Sequence, residues 1–153
     1  MSTIVSGSQF RNLILGGAPV LKSTGTLAAT TVALYTVAGG RVMITSMYGL
    51  VTTSITVANS YKLQVNPTTG DTQDLCAATD IGTTDTLAGS ILQFGLATTT
   101  APAKLISIGY GNSRLNTVVP VGQIESVSAG TDGVISWYVT WIPMDDGATL
   151  VAA

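Results

Sequence analysis

The chain has 153 residues, 46% of them hydrophobic and only 9% charged, with a formal net charge of −2 and no histidine. Charged residues average roughly 25% in globular chains, so the anomaly is the missing charge. With no basic field to hold a phosphate backbone, nucleic-acid binding is excluded as an expectation, and the absence of histidine removes the commonest general base and metal ligand.

Residues 1–29 differ from the rest. Residues 2–8 are polar, residues 10–15 are partly apolar, and Gly16-Gly17-Ala18-Pro19 breaks any regular element. One reading is a frayed terminus plus an edge strand. The other is an extended arm that docks on a neighbouring subunit, with Ile4, Val5 and Phe10 as anchors and Arg11 beside them. The expected organisation is an N-terminal arm over 1–29 and one β domain over 30–153. The start lacks the positive region of a signal peptide, and no stretch approaches the roughly 18 apolar residues of a membrane helix.

From residue 30 the composition points to strands. Thr, Val, Ile, Tyr and Trp suit a pleated, half-buried surface, and Glu125 is the single glutamate. A first strand is expected over 32–37, closed by Ala38-Gly39-Gly40. Next, Val42, Ile44, Ser46 and Tyr48 alternate with Arg41, Met43, Thr45 and Met47. Apolar residues on both faces suggest a strand covered on both sides. Tyr61, Leu63 and Val65 alternate with Ser60, Lys62 and Gln64, and Asn66-Pro67-Thr68-Thr69-Gly70 ends that strand.

The acidic residues Asp71, Asp74, Asp80 and Asp85 follow, at a spacing that matches no calcium loop, and read as solvated loop carboxylates. Cys76, in the apolar run Leu75-Cys76-Ala77-Ala78, reads as a buried free thiol. One cysteine allows neither an internal disulfide nor a cysteine-based zinc site. Further strands are expected over 91–96, 105–110, 117–121 and 124–128. Gly130-Thr131-Asp132-Gly133 has the glycines of a hairpin turn. It leads into a strand with Ile135, Trp137, Val139 and Trp141 on one face and the more polar Ser136, Tyr138 and Thr140 on the other. Asp145-Asp146-Gly147 reads as a turn with two exposed carboxylates. About eight to ten short strands between such turns imply an all-β fold, a mostly antiparallel β-sandwich or barrel.

Catalytic constellations are not evident. Glu125 with Asp132, or Asp71 with Asp74, could form a carboxylate pair, but nothing places either across a cleft. Serine has no histidine and no Ser-x-x-Lys partner. Gly109-Tyr110-Gly111-Asn112 opens no helix and is followed by no lysine. The expectation is a non-enzyme without metal or cofactor. Trp137 and Trp141 share a strand face, more in keeping with a core than with a sugar-stacking platform. Solvent-exposed indoles would instead indicate a carbohydrate-binding sandwich. A surface with so few full charges is easily desolvated, as in a subunit that stays packed against other copies or a larger assembly.

The block from Ala33-Leu34-Tyr35-Thr36-Val37-Ala38-Gly39-Gly40 to Tyr48-Gly49, the segment over 66–81 and the C-terminal segment over 137–153 together resemble small virion structural proteins of tailed bacteriophages. The similarity runs from about Val32 onward and is greatest to capsid decoration (cement) proteins. It implies a compact β fold, usually a homotrimer, seated on the outer capsid surface and clamping major capsid protein subunits, with an N-terminal arm completing the contact. The implied location is the virion, with the host cytoplasm during assembly, and neither nucleic acid nor membrane as partner. A tail, neck or fibre-associated component is the alternative within the same class.

Overall fold

A computed structural model describes residues 17–95, 106–107 and 117–153. All regular structure there is β: β1 (Val20–Thr26), β2 (Thr31–Ala38), β3 (Val42–Thr53), β4 (Ser60–Pro67), β5 (Gln73–Asp74), β6 (Thr79–Asp80), β7 (Ile91–Gly95), β8 (Ile106–Ser107), β9 (Thr117–Val119), β10 (Gly122–Ser128), β11 (Val134–Pro143) and β12 (Thr149–Ala152). The first sheet has the order β1-β11-β3-β7-β8, with β9 also on β3. The second has the order β12-β2-β10-β4-β5, with β6 also on β4. Every pairing is antiparallel except β7 with β8. The two sheets close on one core, which makes the fold a β-sandwich. No helix among the described residues is long and apolar enough to cross a membrane.

Period-two patterning explains the core. Ile135, Trp137 and Val139 of β11 are buried while Ser136, Tyr138 and Thr140 between them are not. Trp137 occupies the centre. Its Nε1 donates to Tyr61 Oη at 2.9 Å across the sandwich, and the two rings stack with centroids 6.3 Å apart. The Tyr35 hydroxyl donates to the Trp137 carbonyl at 2.8 Å. These polar tips are satisfied inside the core, as buried aromatics require. Gly49 sits opposite Trp137 on β3, where a Cβ would lie 3.1 Å from the indole. The missing side chain makes room for the ring.

Some expectations need correction. Of the two readings of residues 1–29, the described part agrees with the edge strand and not with an arm reaching to residue 29, because Val20–Thr26 is a strand of the first sheet, paired with β11. As an edge strand it carries Lys22, whose Nζ donates to the Ala153 carbonyl next to β12; charge at an edge discourages further pairing. The segment 130–133 is not a hairpin turn. β10 and β11 belong to different sheets, so this segment crosses between them. Asp132 fixes the crossing by accepting from the Thr56 N–H at 2.7 Å and the Thr56 hydroxyl at 2.8 Å.

Among the described residues β3 buries one face only. Its register against β11 shifts between Thr140 and Trp141, which switches the phase of the strand: Val42 and Ile44 point inward, then Met47 and Val51. Finally, of the two carboxylates expected to be exposed, Asp146 is exposed but Asp145 is partly covered and paired. It accepts from Arg41 Nε at 2.9 Å, Nη2 at 2.7 Å and the backbone N–H at 2.7 Å. The described residues alone form twelve strands, more than the expected eight to ten, because β5, β6 and β12 are too short to show an alternation.

Candidate functional site

Several titratable side chains in the described residues are bound into local structure. Asp80 accepts from the N–H groups of Asn59, Gly82 and Thr83 at 2.9–3.1 Å, and the Thr83 side chain first, together with these N–H donors, holds its carboxyl well below the usual carboxylate range. Arg41 does the same for Asp145, chiefly through its side-chain hydrogen bonds. Glu125 is buried on β10 and receives Gln64 Nε2 at 2.7 Å and Asn66 Nδ2 at 3.0 Å. Asp132 serves the crossing loop instead, so Glu125 and Asp132 have separate structural tasks. Cys76 is a buried free thiol, pushed up to about 11 mainly by burial, and its Sγ accepts from the Leu63 N–H at 3.1 Å.

Asp71 and Asp74 do share a place, the rim of a cleft of about 220 Å³ between the β4–β5 turn and β9, lined also by Thr69, Gln73 and Thr117. Asp74 is ion-paired there with Lys62 at 2.6 Å. No group of three or more His, Cys, Asp or Glu residues that could hold a metal ion occurs among the described residues. Trp137 is 1% exposed, and Trp141 is partly buried against the core. Neither indole forms the exposed platform that sugar stacking uses.

The two outward faces of the sandwich differ, and this is its most distinctive surface feature. On the second sheet the outward rows mix polar and apolar residues: Lys62, Gln64 and Asn66 of β4 lie beside Gln123 and Glu125 of β10, with Val127 of β10 and Val151 of β12, which is 54% exposed, in the same rows. On the first sheet they are apolar or hydroxylic. One cross-strand row runs Leu21, Tyr138, Tyr48, Gln93, with the two tyrosine rings stacked at 4.9 Å and 8°. The row beside it runs Ser23, Ser136, Leu50, Ile91, and a third runs Ile142, Met43, Val118. Leu21, Ile91 and Val118 are 51%, 46% and 48% exposed. No charged side chain occurs in these rows.

Sequence reasoning missed this face for a specific reason. Tyr138 was visible on the more polar side of its strand and Tyr48 on a strand expected to be covered. Only the pairing of β3 with β11 shows that the two rings meet on the outside. The four candidate contact residues Ile4, Val5, Phe10 and Arg11 lie outside the described residues. Comparison with protein-family models, curated proteins and solved structures finds no match to this chain.

Proposed function

We propose that the chain is a non-enzymatic structural subunit of a tailed-phage virion, a decoration (cement) protein that sits as an oligomer on the outer capsid surface and stabilises the shell. The observation that carries the assembly part of this reading is the outer face of the first sheet, whose rows among the described residues hold no charged side chain, whereas the second sheet places Lys62 and Glu125 in its outward rows. A protein that stays free in solution keeps mixed charge over its whole surface. Leaving one face of a sandwich without charge makes it cheap to desolvate. The virion setting rests on the resemblance of the three sequence blocks.

In this role the protein acts by burial, not by chemistry. Apolar surface removed from water contributes roughly 25 cal/mol per Å², and an oligomer that seats several copies at once gains avidity from the added contacts. The arm residues Ile4, Val5, Phe10 and Arg11 would extend the contact onto a neighbouring subunit. Deleting residues 1–16 is expected to weaken binding to purified shells while leaving the thermal unfolding of the β domain unchanged. Undiminished binding would remove the arm from the account.

The test of the function is the copy number of the chain in purified particles relative to the major shell protein. A ratio near one to one, or a simple fraction of it, supports a decoration subunit. A handful of copies moves the protein to the tail, neck or fibre. Absence from particles overturns the virion reading.

A further inference from the structure

We propose that Asp146-Gly147 is a site of spontaneous backbone modification, where the native protein converts aspartate to isoaspartate while its other Asp-Gly pair, Asp132-Gly133, stays intact. The inference is independent of the virion reading, because it concerns chemistry that the fold permits at one turn and blocks at another. In the reaction the Gly147 backbone nitrogen attacks the side-chain carboxyl carbon of Asp146. A C–N bond forms, the carboxyl hydroxyl leaves with the Gly147 N–H proton as water, and a five-membered succinimide results. Water then re-enters at either carbonyl. Opening on the backbone side leaves the chain running through the aspartate side chain. One water is lost and one regained, so no other reagent is consumed.

Glycine is the one following residue with no side chain to obstruct the attack, and it follows aspartate twice in this chain. The two pairs have opposite settings. Asp146 and Gly147 are both exposed, in a turn closed by the Ala148 N–H donating to the Asp145 carbonyl at 3.1 Å. Gly147 lies at φ 80°, with open space where a Cβ would lie. Among the described residues the Asp146 carboxylate has no hydrogen-bond or ion-pair partner, so it can swing back onto the backbone. Asp132 cannot. Its Oδ2 accepts from the Thr56 N–H at 2.7 Å and hydroxyl at 2.8 Å, and its Oδ1 from the Val57 N–H at 3.3 Å. Gly133 is buried against Ile55, and its carbonyl accepts from the Leu27 N–H at 2.9 Å. The Thr56 N–H, first among these donors, also holds the Asp132 carboxyl below its ordinary range, so the protonated form that loses water is scarcer there. At Asp146 the added methylene falls between two fixed contacts, Asp145 with Arg41 and the Gly147 carbonyl packed on Gly39.

The test incubates the full chain for weeks under mildly acidic conditions, above the ordinary carboxylate range of about pH 4. One sample stays native, as circular dichroism verifies, and one is unfolded in denaturant. Electron-transfer fragmentation of the digested peptides then distinguishes isoaspartate by its broken Cα–Cβ bond. In the native sample isoaspartate at 146 is expected to exceed that at 132 by at least about tenfold, since reaction at 132 waits for local opening. In the unfolded sample the two sites are expected to react at comparable rates, because the held carboxylate and the buried glycine are both released. Equal native rates at the two sites would overturn the proposal. So would a native difference that persists undiminished in denaturant, which puts the cause in the local sequence and not in the fold. A native Asp146 still unmodified when the unfolded chain has converted would overturn it as well.

Discussion

Asn59 shows how much a single polar residue can organise here. Its Oδ1 accepts from the Ser128 hydroxyl at 3.1 Å and the Gly130 N–H at 2.9 Å in a buried setting, and from the Ala129 N–H at 3.0 Å in a part-buried one. Asn59→Ala removes that acceptor and strands buried donors, so it is expected to destabilise the fold by about 2–4 kcal/mol in a denaturant titration. Cys76 offers a second check at this scale. Burial and a thiol pushed up to about 11 keep the reactive thiolate scarce. Labelling by a thiol reagent at pH 8 is therefore expected to be slow in the native protein and fast only after unfolding. The burial of Cys76 was readable from its apolar neighbours, whereas the role of Asn59 was not, because its partners lie some seventy positions away in the chain.

Among elements, the link from β10 to β11 decides the topology. Two glycines flanking Thr131-Asp132 are equally compatible with a hairpin and with a crossing between sheets, so local turn chemistry did not discriminate. What decides is the destination: Asp132 engages Thr56, and Gly133, at φ 83°, passes so close that a Cβ would lie 2.4 Å from Ile55 Cγ1. Gly133→Ala is expected to cost about 1–3 kcal/mol of stability, through a left-handed backbone and the clash together. β3 teaches a related lesson. Its mixed apolar pattern arises from a register shift opposite Thr140 and Trp141 plus an apolar outward face, and neither is visible without the partner strand.

For the whole molecule, the titratable groups predict a broad pH plateau. The carboxyls of Asp80, Asp132 and Asp145 are depressed in the fold by the donors around them. Their contribution is therefore complete above the unfolded carboxylate range, near pH 4, and is lost as pH falls through the folded values. The hydroxyls of Tyr35 and Tyr61 are raised, chiefly by burial. They favour the folded state below their unfolded value near 10, and that contribution is lost as pH rises through the folded values. With no histidine between these limits, the melting temperature is expected to be nearly flat from about pH 5 to about pH 9 and to fall at both ends. A pronounced transition near neutrality would contradict this distribution of charge.

The class of fold, most of the strand positions and the core alternation of Ile135, Trp137 and Val139 are determined by the sequence itself. β-branched and aromatic residues at period two have only one stable use, a half-buried sheet. The scarcity of charge was equally plain, and with it the expectation of a surface made to be covered. Which face is bare was decided only by the tertiary structure. Strand order and register set which outward side chains become neighbours. Those choices are made by contacts between residues far apart in the chain, such as Tyr48 with Tyr138 and Trp137 with Tyr61.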